Sequence, residues 1–321
     1  MPDVRKGFHG DIGYVFEDAG YDTDPTDTTI KGFGGNATMD TFEGGRQAQR
    51  EYNASRTAAE IIRQNFDGGW GVSFDLGAFP PWWLAGIYGQ PDTTNPVSNQ
   101  YEHLYSIRDG TDPVPLRLYA PTDGFNEYYV VPGAYLVSAS IDQGEDGTPE
   151  VSLTGGFARD PFEDTGVTTD VPDFSQSTYE NRDAELIVDS TTVGRSQSTS
   201  LSLETNAEGK SEIGTDKMVD FAPGAFEPSL TYDHIRWVGE NVDFHDRFVN
   251  ATSVTTEIHW DNGETGDALY AVEATVSGSY PDQWSESGRN DPDADLTEEL
   301  QDVGEDAEVL VISDDATPPG V

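Results

Sequence analysis

The sequence predicts a mainly β protein built as two tandem domains. Three observations carry this. Apolar and polar residues alternate with the two-residue period of strands, helical periodicity is scarce, and Gly, Pro, Asn and Asp separate nearly all the alternating segments. In order, the predicted strands of the first half are 38–42, 70–76, 101–107, 116–120, 128–141 and 150–157. Those of the second are 184–188, 199–204, 228–233, 252–260, 269–280 and 308–312. A short helix is expected at 81–88, opened by Pro80-Pro81, striped by Trp82, Leu84, Ala85 and Tyr88, and closed by Gly89. A second is expected around 234–248.

The acidic, weakly periodic stretch DPFEDTGVTTDVPDFSQSTYE suggests boundaries at 1–160, an acidic linker at 161–183, and 184–321. The two blocks share an outline. In the first, strand 37–42 precedes a polar loop, Phe66-Asp-Gly-Gly-Trp70 and a strand ending at Asp75. In the second, strand 200–205 precedes a polar loop ending at Met218, Phe221-Ala-Pro-Gly-Ala-Phe226 and a strand ending at Asp233. An aromatic-rich segment follows each. This is the expected trace of a diverged internal duplication.

Charge narrows the function. Of 321 residues, 17 are Lys or Arg and 60 are Asp or Glu, a formal net charge of −43. Such a surface excludes phosphate-gripping nucleic-acid binding. At ~0.15 M salt, screening extends about 8 Å and self-repulsion would strain the fold; at molar salt it falls to about 3 Å. Only four lysines occur (Lys6, Lys31, Lys210, Lys217), against thirteen arginines. The composition resembles that of proteins from salt-in halophilic archaea or their viruses. Absence of Cys removes disulfides, thiolate zinc sites and cysteine nucleophiles. No apolar run approaches a membrane span, and residues 1–10 lack the apolar core of a signal peptide.

No catalytic, cofactor or metal site is expected. The histidines (His9, His103, His234, His245, His259) show no metal-ligand spacing, and no nucleophile elbow or phosphate loop occurs in the right context. The Asp291–Asp295 segment, with Glu298 and Asp302, has calcium-loop spacing but Leu296 where glycine is required, so it is expected to be a solvated acidic loop. Of three sequons, Asn53 is the best candidate for glycosylation, because its loop is polar. Arg46, Arg50, Arg56 and Arg63 cluster in the expected loop 44–65. There they are candidates for inter-subunit pairing with carboxylates.

Asn65-Phe-Asp-Gly-Gly-Trp-Gly-Val-Ser-Phe-Asp-Leu76 is followed by Phe79-Pro-Pro-Trp-Trp-Leu84, Tyr101-Glu-His-Leu-Tyr105 and Gly133-Ala-Tyr-Leu-Val-Ser-Ala-Ser-Ile141. In this order the segments resemble major tail tube proteins of long-tailed double-stranded DNA viruses. Ser200-Leu-Ser-Leu-Glu-Thr-Asn206 and Glu212-Ile-Gly214 resemble the second half of longer members. The resemblance implies roughly orthogonal antiparallel sheets in each domain, a short flanking helix and a long stacking loop. It also implies self-assembly into stacked rings whose sheets close a β-barrel conduit for genome ejection. The partners would be other copies of the chain, other viral tail proteins and DNA in transit without specific binding. The place would be the virion, after assembly in host cytoplasm, with no membrane.

Strand alternation supplies candidate lumen residues: Ser73, Asp75, Ser138, Ser140, Asp142, Ser202, Glu204, Thr231, Asp233 and Glu257, with Leu136 and Ser229 on the same faces. The duplication favours a homotrimeric ring with pseudo-sixfold symmetry. A homohexamer is the alternative, with the second block outside the tube. The main rival function is a β-sandwich binding or cell-surface protein of a halophile. A carbohydrate-active enzyme stacking sugars on Trp82, Trp83 and Trp237 comes third.

Overall fold

The computed structural model describes residues 12–315 except 19, 28, 52–59, 78–79, 98–99, 109–110, 122–127, 145–146, 165–178, 180–183, 194–195, 213–214, 216, 236–242, 266–268 and 289–295. The first half runs β1 (Gly13–Phe16), β2 (Lys31–Gly32), β3 (Gly35–Glu51), β4 (Glu60–Asp75), a 3-10 turn (Trp82–Leu84), α1 (Ala85–Tyr88), β5 (Asp92–Val97), β6 (Gln100–Tyr105), β7 (Leu116–Pro121), β8 (Tyr128–Gln143), β9 (Glu150–Phe157) and β10 (Phe162–Asp164). The second runs β11 (Ala184–Val188), β12 (Thr191–Thr192), β13 (Ser196–Glu204), β14 (Glu208–Ser211), β15 (Met218–Ala222), β16 (Glu227–Ile235), α2 (Phe244–Asn250), β17 (Val254–Asp261), β18 (Ala271–Ser287), β19 (Thr297–Val303) and β20 (Asp306–Ser313).

The protein is mainly β, and every strand pairing is antiparallel. The main sheet has the order β3-β4-β9-β8-β13-β16-β19-β18. One flanking sheet is β2-β1-β7-β8-β10. The other is β5-β6-β20-β18-β17-β11-β12. Among the described residues the strands of one chain close no barrel. Among the described residues, β3 and the second half of β18 are open edges of the main sheet.

The main sheet consists of two four-strand sets in the same order, β3-β4-β9-β8 and β13-β16-β19-β18. A helix follows the second strand of each set. The fourth strand of each is long and leaves a flanking sheet to enter the main one. β8 bends at Gly133 (φ 61°) and β18 at Gly278 (φ 59°), left-handed values that favour glycine. A Cβ on Gly133 would also meet that of Ala158 at 2.6 Å. A buried ion pair clamps each bend. Glu17 accepts from the Gly133 amide (3.1 Å) and from Arg117 Nε (2.9 Å). Arg247 donates to Ser279 Oγ (3.2 Å) and to Asp302 (2.8 Å), which also accepts from the Tyr232 hydroxyl (3.2 Å). Most of the polar atoms of these pairs find partners, although Arg247 Nε and Asp302 Oδ1 are buried without one among the described residues.

The helices dock differently. The short turn–helix from Trp82 to Tyr88 buries all its residues, and Trp83 lies edge-on to Phe74 at 6.1 Å. α2 is capped by Asp243, whose side chain accepts from the Asp246 amide (2.9 Å), and it is tied down by Arg247. The second helix is therefore shorter than the expected 234–248, since His234 belongs to β16.

Three further expectations are corrected. Segment 44–65 is no polar loop for most of its length: β3 and β4 stay paired out to Glu51 and Glu60. Glycines make this possible, because Gly44 faces Gly68 and a Cβ on Gly68 would lie 2.5 Å from the Phe157 ring. Glu298 and Asp302 are not loop residues but buried positions of β19, while 289–295 lie outside the described residues. Leu136 is not on the polar face, because a bulge at Val137 shifts the alternation and sends it into the core. Within the expected linker 161–183, β10 pairs with β8 and Tyr179 is buried.

Candidate functional site

The pairing registers align the polar side of the main sheet into rows. One runs Thr38, Ser73, Ser152, Ser140, Ser202, Ser229, six hydroxyl residues on six neighbouring strands, and ends on Val303 and Tyr280. The next runs Asp75, Glu150, Asp142, Ser200, Thr231, Gln301, Gln283. On the other side of the hydroxyl row lie Thr41, Gly71, Thr154, Ser138, Glu204 and Glu227. Beyond the carboxylate row, the second set adds Ser198, Asp233, Glu299 and Ser285. None of these positions holds Lys or Arg. The alternate residues, among them Val72, Phe74, Ile141, Val151, Leu201 and Leu230, are buried on the opposite side.

Local hydrogen bonds knit the face. Ser140 Oγ donates to Asp142 (3.0 Å), and Ser200 Oγ donates to the same carboxylate across the β8–β13 junction (2.5 Å). Ser138 and Thr154 share a bond of 2.7 Å, and Ser285 Oγ donates to Glu299 at 3.3 Å. A groove of about 670 Å³, lined by Thr41, Glu43, Gly69 and Thr154 among others, opens on the same side, where glycines leave the sheet bare. A surface of short hydroxyls and carboxylates repels a phosphate backbone and offers it no cation.

Nine of the ten candidate lumen residues fall on this one face. Glu257 does not: it sits in β17 of a flanking sheet, paired with Ile187 and Thr275. Sequence reasoning missed Glu150, Ser152, Thr154, Glu299 and Gln301, which continue the rows on β9 and β19. For β9 the alternation of E-V-S-L-T carried the signal. Arg46, Arg50 and Arg63 lie on the β3–β4 hairpin, paired with Phe66, Ile61 and Ala48. Arg56 and Asn53 lie outside the described residues. Among the described residues, no group of three or more His, Cys, Asp or Glu could hold a metal ion, and no helix is long and apolar enough to cross a membrane.

The described residues thus present an open antiparallel sheet with two free edges and a polar face that carries no Lys or Arg in its aligned rows. The chain belongs to the phage tail tube protein family, whose model matches residues 7–308. Comparison with curated proteins gives no match. The protein is thus a structural virion component of the tail tube class.

Proposed function

We propose that three chains close edge to edge into a ring with pseudo-sixfold symmetry, and that stacked rings form a conduit for the viral genome. One observation carries this reading. The second four-strand set continues the sheet of the first instead of lying apart from it, so one chain supplies two equivalent wall segments. Three chains then give about 24 strands. At ~4.8 Å per strand their circumference is about 115 Å and their backbone width about 37 Å, room for a duplex inside short side chains. Closure removes both free edges. The polar rows line the lumen. Ser73 and Asp75 of one set alternate with Thr231 and Asp233 of the other around the wall, and DNA slides past without binding.

The arm carrying Arg46, Arg50, Arg56 and Arg63 engages neighbouring copies, other tail proteins complete the tail, and assembly takes place in the host cytoplasm. The charge of −43 suits a halophilic archaeal host. It makes the fold dependent on molar salt, so β circular dichroism should collapse on dialysis to ~50 mM salt and a sharp melt there would refute the dependence. Cryo-electron microscopy of the purified protein in molar KCl tests the assembly. Tubes with three copies per ring are expected. Six copies of the chain per ring, or monomers alone, overturn the trimer.

A further inference from the structure

We infer that the β8–β13 junction inside the chain is repeated between chains. The second half of β18 in one copy then pairs antiparallel with β3 of the next, with Thr38 opposite Ser285, Met39 opposite Trp284 and Thr41 opposite Gln283. The inference rests on the ring reading and adds to it the identity and register of the seam.

Sequence and register align the two sets residue by residue. Val72-Ser-Phe-Asp75 of β4 matches Leu230-Thr-Tyr-Asp233 of β16, each apolar, hydroxyl, aromatic, acid. Glu150-Val-Ser-Leu-Thr-Gly155 of β9 matches Glu299-Leu-Gln-Asp-Val-Gly304, which begins in β19. Asp75 pairs with Glu150 just as Asp233 pairs with Glu299. On the first strands, Ser200-Leu-Ser-Leu-Glu204 of β13 matches Thr38, Met39, Thr41, Phe42 and Glu43 of β3, once Asp40 is set aside as a bulge. Each residue also faces the counterpart of its partner. Leu201 faces Leu230 as Met39 faces Val72, and Glu204 faces Glu227 as Glu43 faces Gly69. On the fourth strands, Asp142 faces Glu150 and Ser285 faces Glu299; Ser140 faces Ser152 and Gln283 faces Gln301.

Within the chain, Ser200 pairs with Asp142, Leu201 with Ile141 and Ser202 with Ser140. Substituting equivalents gives the three pairs stated. Met39 and Trp284 are both half-buried residues packed on the core, so their apposition continues the apolar layer. The surroundings agree. The β14–β15 hairpin, inserted between β13 and β16, covers the first set's Tyr135 with Phe221 stacked at 5.3 Å. The second set bears Tyr280, Val303 and Val249 exposed at 43%, 42% and 62%. In the ring the β3–β4 hairpin of the next copy, inserted at the equivalent place, covers them.

The chain has no cysteine, so any disulfide in a doubly substituted variant is an engineered one. Thr41→Cys with Gln283→Cys, and separately Thr38→Cys with Ser285→Cys, are oxidised in assembled tubes and resolved on a denaturing gel. Thr38→Cys with Gln283→Cys is two residues out of register, beyond the reach of a disulfide. Ser140→Cys with Ser202→Cys reports the internal junction. Both in-register pairs should give a ladder of covalent oligomers ending at three chains, at least about tenfold stronger than the out-of-register pair. Tubes that form but cross-link only out of register, or not at all while Ser140→Cys with Ser202→Cys closes, overturn the seam and leave the ring standing. If the unsubstituted chain forms no tubes, the ring reading falls and the seam with it.

Discussion

The two four-strand sets share an order of strands and differ in what fills the space beneath them. In the first, Leu153 points inward from β9 and the short helix docks through Trp83, Leu84 and Tyr88. In the second, the equivalent of Leu153 is Asp302, and the helix docks through Arg247, with Tyr232, Ser279 and Thr256 around the carboxylate. One backbone frame therefore accepts either an apolar plug or a buried ionic one whose opposite charges pair directly. The bends show the same freedom. Each is clamped by an arginine–carboxylate pair, but the partners come from β7 and the residue after β1 in one set and from α2 and β19 in the other.

Removing one member of the ionic plug should have the largest effect. Asp302→Ala leaves Arg247 charged and buried and should cost about 3–5 kcal/mol in urea unfolding of the unassembled chain in molar salt. Replacing the pair together, Asp302→Leu with Arg247→Leu, copies the first set and should restore most of the loss. A double variant as unstable as the single would show that the two plugs are not interchangeable. Next come the bends. Gly133→Ala should cost about 1–3 kcal/mol, because the new Cβ meets Ala158 and the Tyr21 ring at a left-handed φ. Gly278→Ala should cost less, since its contact is the flexible end of Glu305. Equal losses would contradict the tighter fit assigned to the first bend.

The smallest effect concerns pH. His103 is buried against Trp82, with Nδ1 2.9 Å from Thr93 Oγ1 and Nε2 3.0 Å from the Asp315 carbonyl, and burial holds its pKa below the ordinary histidine value. The unfolded chain takes up this proton more readily. The resulting stability is full above the ordinary value of about 6.5 and is lost as the pH falls through the lower folded pKa. Between pH 7.5 and 5.5 the parent should lose stability relative to His103→Gln. Parallel pH profiles for the two would remove His103 as the cause.

Strands with one buried face were the legible part of the fold. β9 and β11 match their expected bounds to the residue, because apolar positions alternate cleanly there. β19 escaped because two of its inward positions carry Glu298 and Asp302, so burial and hydropathy disagree in Thr297–Val303. The hairpin arm escaped for the opposite reason, since its glycines erase the alternation while making room for Phe157. For the site, alternation named the polar side of a strand but not the sheet to which the strand belongs. Nine residues therefore gather on one face while Glu257, with the same local pattern, lies in a flanking sheet. A bulge such as that at Val137 is invisible in composition, and it alone decides where Leu136 points.

Asp75 shares its row with Thr231, while its counterpart Asp233 stands one row further along the strands. Each set is thus displaced by two residues from the one before it. In the proposed ring, six such displacements would add up to about twelve residues, or ~40 Å over a ~115 Å circumference, and would tilt the strands by about 20°. In that ring the tilt offsets the displacement, so symmetry would hold Asp75 and Asp233 of every copy at one height, with each short run of carboxylates slanting across that level. A duplex moving down the proposed tube would then cross one level band of negative charge per ring, repelled equally from all sides and so held to the axis.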